Sequence, residues 1–131
     1  MRVLFVDDDY ITIASIVDHL RLLGHDVEIA DGTLEAVDRL SDVAYDLLLL
    51  DVMLPPEGVF TLGETAEGRY TGLRLLERLR ESPGLTINRE VRVVLITNWR
   101  DEPQVDRVAH CMNAEILRKP LTLAAVERYL C

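Results

Sequence analysis

Five residues in this chain could do chemistry together. Asp7 and Asp8 follow the apolar run Val3-Leu4-Phe5-Val6, and Asp51 follows Leu47-Leu48-Leu49-Leu50. Thr97 ends Val93-Val94-Leu95-Ile96, and Lys119 ends Glu115-Ile116-Leu117-Arg118. Three carboxylates brought together repel one another, and their ionised state is costly unless a cation joins them. Hard oxygen ligands of this kind suit Mg²⁺ or Mn²⁺, bound through carboxylates plus a phosphate. An ammonium and a hydroxyl beside them complete a pocket able to stabilise a phosphoryl group. Lys119 is the only lysine; the other basic residues are all arginine. A single lysine at such a place favours a specific point-charge role over a solvating one.

Continuous apolar runs of four residues imply strands buried on both faces, as in a parallel sheet covered by helices. Val27-Glu28-Ile29-Ala30 alternates and reads as a half-exposed strand. Lys119-Pro120 closes the fifth strand, because proline cannot continue the ladder. Helical spacing fills the gaps. Ile13, Ile16, Val17, Leu20 and Leu23 predict a first helix stopped at Gly24. Thr33 is expected to cap a second, carrying Leu34, Val37 and Leu40. Leu73, Leu75, Leu76 and Leu79 predict a third, starting at Thr71 or Gly72 and ended by Ser82-Pro83-Gly84. Val105, Val108, Ala109 and Met112 predict a fourth. Thr122 precedes a fifth with Leu123, Val126 and Leu130. Five β-α units in a row imply right-handed crossovers and an open α/β sheet. In such a sheet the strand ends converge, so the five residues meet at one edge.

The 131 residues fit one domain with a real core, at 49% apolar and 28% charged. Acids outnumber bases 23 to 14, for a charge of −9. That balance excludes a nucleic-acid-coating domain and a polybasic membrane-surface module. No apolar run reaches membrane-spanning length, and the N-terminus has no signal-peptide core. Cys111 and Cys131 lack zinc-site spacing and are expected to be reduced thiols in a cytoplasmic protein. His19, His25 and His110 are scattered away from the strand ends and read as surface or packing residues.

In this order and spacing, Val6-Asp7-Asp8-Asp9, Leu50-Asp51-Val52-Met53-Leu54-Pro55, Ile96-Thr97 and Arg118-Lys119-Pro120 resemble the receiver domain of two-component response regulators. The resemblance implies a flavodoxin-like (βα)5 sheet in strand order 2-1-3-4-5. It implies that Asp51 is the phosphoacceptor, attacking the phosphohistidine of a sensor histidine kinase or phosphotransfer protein. It implies Mg²⁺ on Asp8 directly, on Asp7 through water, on Asp51 and on the backbone carbonyl of Met53. Lys119 would pair with Asp51 at rest and with phosphoryl oxygens afterwards. Thr97 would bond a phosphoryl oxygen and pull its strand–helix junction inward. Asp9 reads as a first-turn helix acid. A receiver occupying 1–131 would use the whole of this sequence, so the signal is expected to leave through protein contacts, to a separate downstream protein or to an output domain outside it.

Three departures stand out. Ile116 occupies the place, three residues before Lys119, of an aromatic switch residue. Asn98, followed by Trp99, stands where a small residue keeps the pocket open, which predicts restricted access and slow turnover of the acyl phosphate. The stretch after Asp51 runs about twenty residues to Gly72, where roughly ten are usual, placing an inserted loop at about 55–71. That loop, with Val59, Phe60, Leu62, Arg69 and Tyr70, is either a solvated, partly disordered strap or a lid or docking element. The rival readings are a degenerate receiver that is never phosphorylated, a Mg²⁺-dependent phosphohydrolase and a flavin-binding domain. The hydrolase would need an acid where Met53 stands. The flavin site would need a phosphate loop where three acids stand.

Overall fold

The computed structural model describes residues 1–130, so the thiol expected at Cys131 lies outside the described residues. Ten regular elements and one 3₁₀ helix alternate along the chain. They are β1 (Arg2–Val6), α1 (Tyr10–Leu22), β2 (Asp26–Ala30), α2 (Thr33–Asp42), β3 (Leu47–Asp51), α3 (Thr71–Glu81), the 3₁₀ helix (Pro83–Asn88), β4 (Arg92–Thr97), α4 (Pro103–Cys111), β5 (Glu115–Arg118) and α5 (Leu123–Glu127). The strands are all parallel and pair in the order β2-β1-β3-β4-β5. This is the strand order expected from the resemblance.

Alternation along each strand divides the core into two layers. Leu4, Val6, Leu48, Leu50, Val93 and Leu95 face α2, α3 and α4. Val3, Phe5, Leu47, Leu49, Val94 and Ile96 face α1 and α5. Every apolar residue of β3 is fully buried, which is why that strand carries no polar alternation. β2 and β5 are the edges and keep half-exposed positions.

Several local expectations need correction. Leu23 lies beyond the end of α1 and is exposed; Gly24, at φ +97°, takes the left-handed turn there. Leu34 also points outward, and Ala36 takes the buried place in α2. Thr33 is the first helical residue rather than the cap, because its hydroxyl donates to Pro55 O at 2.7 Å. The first-turn amide of Leu34 finds a partner distant in sequence: its N–H donates to Glu57 Oε1 at 3.2 Å. Gly32 lets Glu57 in, since a Cβ there would lie 2.0 Å from Oε1. Asp9 stands at the cap position before α1, and its carboxylate accepts from Thr12 Oγ1 at 2.6 Å instead of a helix amide. Thr122 does cap α5, accepting from Ala125 N–H at 3.1 Å. Helix α3 ends where Ser82-Pro83-Gly84 predicts, but the chain then makes the 3₁₀ helix, which carries no apolar period to announce it.

The β3–α3 loop is not a free solvated strap. Residues 62–70 form consecutive turns, and Leu54, Phe60 and Thr65 are buried. Thr65 Oγ1 donates to Thr61 O at 3.0 Å and accepts from Gly68 N–H at 3.1 Å, which closes the turns on themselves. Phe60 packs under the Arg78 guanidinium, 4.3 Å from its ring centre.

Candidate functional site

Strands β1, β3, β4 and β5 deliver Asp7, Asp51, Thr97 and Lys119 to one edge of the sheet. Asp7 is 1% exposed and Asp51 4% exposed, whereas Asp8 is open to solvent. Carboxylate oxygens of Asp7, Asp8 and Asp51 lie within 4.8 Å of one another. Lys119 Nζ sits 3.0 Å from Asp51 Oδ2 and 3.7 Å from Asp7 Oδ2. The other oxygens are held by backbone: Met53 N–H donates to Asp51 Oδ1 at 3.1 Å, and Asp9 N–H to Asp7 Oδ1 at 2.9 Å.

The neighbouring chain makes this depth possible. Gly72 N–H donates to Val52 O at 2.9 Å, and a Cβ on Gly72 would lie 2.3 Å from Asp51 O. Only glycine allows α3 to start so close to the end of β3. Val52 N–H donates to Ile96 O, and Lys119 N–H to Thr97 O at 2.8 Å, so three strand ends are cross-tied.

Electrostatics follow from burial. Burial pushes the Asp51 carboxyl up to about 6, against the pull of Lys119 and with added repulsion from Asp7. Burial also raises Asp7, partly offset by the Asp9 amide. For Lys119, burial acts to lower its affinity for a proton, but Asp51, Asp7 and Asp8 together outweigh it and hold the ammonium above its ordinary range. One ammonium therefore faces three acids. The donor set, all hard oxygens with surplus negative charge, fits a divalent cation such as Mg²⁺.

Thr97 is buried at the end of β4, and its Oγ1 accepts from Trp99 N–H at 3.0 Å. Asn98 is exposed and Trp99 half-buried. Trp99 packs edge-on against Tyr70, with ring centres 5.6 Å apart at 63°. Ile116 is half-buried against the α2–α4 layer of the core. Met53 is 43% exposed, and together with Asp8, Leu54, Pro55, Pro56, Glu67 and Gly68 it lines a hollow of about 360 Å³ beside the acids. Of the histidines, His19 lies 3.9 Å from Glu127 and His25 lies 3.5 Å from the N-terminal amine, both on the surface.

Sequence reasoning does not identify the contacts among Arg69, Tyr70, Trp99 and Glu102. None of these four lies on a periodic apolar face, and their contacts cross from the β3–α3 loop to the β4–α4 turn. Only the lone tryptophan beside Thr97 and the aromatic beside Gly72 hint at them.

A doubly wound parallel sheet with an acidic pocket and one lysine at its strand ends defines a class of protein. The chain matches the response regulator receiver domain over residues 3–130 and belongs to that family, whose members serve two-component signalling. It is 26% identical over 126 residues to the transcriptional regulatory protein CrdR of Helicobacter pylori, covering 96% of this chain and 51% of that protein. It is 42% identical over 82 residues to the response regulator MprA of Mycobacterium avium, covering 63% of this chain and 30% of that protein. The chain thus spans about half the length of the first relative. Among solved structures it resembles a CheY-like response regulator receiver domain protein from Methanospirillum hungatei JF-1, with a TM-score of 0.76, 21% identity and coverage of 98% of this chain and 89% of that one. No helix among the described residues is long and apolar enough to cross a membrane.

Proposed function

We propose that Asp51 is a phosphoacceptor and that residues 1–131 act as one receiver domain switched by its phosphorylation. The observation that carries this reading is the buried Asp51 carboxylate, 3.0 Å from Lys119 Nζ and within 4.8 Å of the Asp7 and Asp8 carboxylates. An Asp51 oxygen attacks the phosphorus of a phosphohistidine on a histidine kinase or phosphotransfer protein. The P–O bond forms as the P–N bond breaks, and the departing imidazole takes up a proton. Asp7, Asp8, Asp51 and the Met53 carbonyl would hold Mg²⁺ or Mn²⁺, which would neutralise the acids and the incoming phosphoryl oxygens.

Lys119 pairs with Asp51 beforehand and is within reach of phosphoryl oxygens afterwards. The Met53 amide holds Asp51 in place for attack. Thr97 accepts one bond from Trp99 and keeps its own proton to donate to a phosphoryl oxygen. Met53, an exposed thioether where a phosphohydrolase would place its acid, can protonate no leaving group. This supports a slowly turning-over acyl phosphate rather than an enzyme, as do Asn98 and Trp99 in the two positions after Thr97.

Intact-mass measurement after incubation with a small acyl phosphate and Mg²⁺ tests the reading. One phosphoryl group should add to the native chain and none to Asp51→Asn. Lys119→Ala should lose most of the response. Equal incorporation in Asp51→Asn would refute the assignment.

A further inference from the structure

An unbroken line of contacts runs from Thr97 into the β3–α3 loop and on to α4. Trp99 N–H donates to Thr97 Oγ1. The Trp99 ring meets the Tyr70 ring edge-on, and the Arg69 guanidinium lies 5.7 Å from one ring centre and 5.8 Å from the other. Tyr70 O–H donates to Glu102 Oε2 at 3.1 Å. Glu102 Oε1 in turn accepts from Gln104 N–H at 3.2 Å and so caps α4. Tyr70 is tied to its own loop, since its N–H donates to Thr65 O at 2.9 Å. On β5, by contrast, the residue beside Leu95 is the aliphatic Ile116, which has no polar group to exchange.

We infer that Tyr70 and Arg69 are positioning residues for Thr97: through Trp99 they set the resting place of its hydroxyl, and they carry its movement to the cap of α4. The inference rests on the reading of Asp51 as phosphoacceptor and adds a route out of the site. When the Thr97 hydroxyl moves toward a phosphoryl group on Asp51 to donate its proton, the Trp99 amide must follow the oxygen or lose its partner. The β4–α4 turn must then rearrange to satisfy that amide. Because Trp99 is packed on Tyr70, and Tyr70 holds the Glu102 carboxylate, the rearrangement reaches both the loop and the first turn of α4. The β3–α3 loop is thereby a moving part of the switch rather than a passive cover.

The chain has one tryptophan, so nitrogen-15 tryptophan labelling gives one backbone amide signal and one indole signal. The full chain is treated with a small acyl phosphate and Mg²⁺, and intact mass is followed alongside both signals. In the native chain we expect one added phosphoryl group and movement of both signals. Tyr70→Ala should still gain mass and move the amide, but its indole should no longer respond. Its phosphoryl lifetime should differ by about threefold or more, the scale of one aromatic contact. Tyr70→Phe keeps the ring and should restore the indole response, while in a uniformly nitrogen-15-labelled sample its Gln104 amide should no longer shift on phosphorylation as it does in the native chain, because the Tyr70–Glu102 bond is gone. A native chain that gains mass with both Trp99 signals unmoved overturns the inference and leaves the Asp51 reading standing. So does a Tyr70→Ala chain with native lifetime and native indole response. A native chain that gains no mass overturns both.

Discussion

The two ends of the sheet treat buried polar groups in opposite ways. Where β4 and β5 begin, Arg80 of α3 donates from Nε to Met112 O, from Nη1 to Arg89 O and Val91 O, and from Nη2 to Asn113 O. Nearby, Asn88 joins three segments: its amide donates to Leu40 O and Val43 O at 2.7 Å, and its oxygen accepts from Tyr45 N–H at 2.9 Å. Neutral carbonyls meet committed donors, and the result is a lock. Where the strands end, Asp7 and Asp51 are as buried as Asn88 but share one ammonium, and their carboxyls are raised above their ordinary values. Satisfied polar groups rigidify a fold, whereas unsatisfied charge stores a demand for a ligand.

The largest effect is expected at the lock. Arg80→Leu takes the donor from four carbonyls, of which Asn113 O stays open to water, and should cost about 3–4 kcal/mol in chemical denaturation. A loss near that of an ordinary surface arginine would show that water replaces the guanidinium freely.

Gly72→Ala ranks next. Its Cβ would press on Asp51 O, so we expect about 2–3 kcal/mol of destabilisation, as for an overpacked core. Phosphoryl uptake, read by mass, should fall with it, because the backbone of Asp51 must move. Uptake at the native rate would mean that the site tolerates the shift.

Asp51→Asn goes the other way. With divalent cations chelated, it should stabilise the neutral-pH protein by about 1 kcal/mol, since it removes a buried charge that Lys119 only partly offsets. The sign has a pH signature. A carboxyl raised from 3.8 to about 6 on folding binds a proton that the unfolded chain has released. Its contribution to stability is therefore full below about pH 4 and lost as pH rises through about 6. The stability gap between Asp51→Asn and the native chain should widen over that interval, measured by denaturation at each pH, and adding Mg²⁺ should narrow it. A gap independent of pH would contradict the assigned cause.

The smallest effect belongs to Leu34, which is 53% exposed. Leu34→Gln should alter stability by no more than about 0.5 kcal/mol, because its apolar side chain buries little. A core-sized loss would reinstate the helix face that the residue pattern suggested.

Much of the molecule is legible in its residues alone. Four-residue apolar runs marked β1, β3 and β4, because a strand buried on both faces can hold nothing else. The acids and threonine that end those runs, with the lysine that ends β5, point to one edge, because parallel crossovers bring every strand end to the same side. Period alone misled at Leu23 and Leu34. It records which side chains could face the core, not where the helix stops or how far the sheet reaches beneath it.

Contacts between segments distant in sequence exist only in the folded molecule. Glu57 serves an α2 amide, the Thr33 hydroxyl goes to Pro55 O, and Tyr70 bridges Trp99 and Glu102. No local signal encodes these, because each depends on where a twenty-residue loop lies once the sheet has formed. The chain by itself determined the strands, the helices and the residue types at the strand ends. Packing determined the depth of Asp51, and with it the charge imbalance that gives the site its chemistry, because burial and neighbouring charge exist only in the folded molecule.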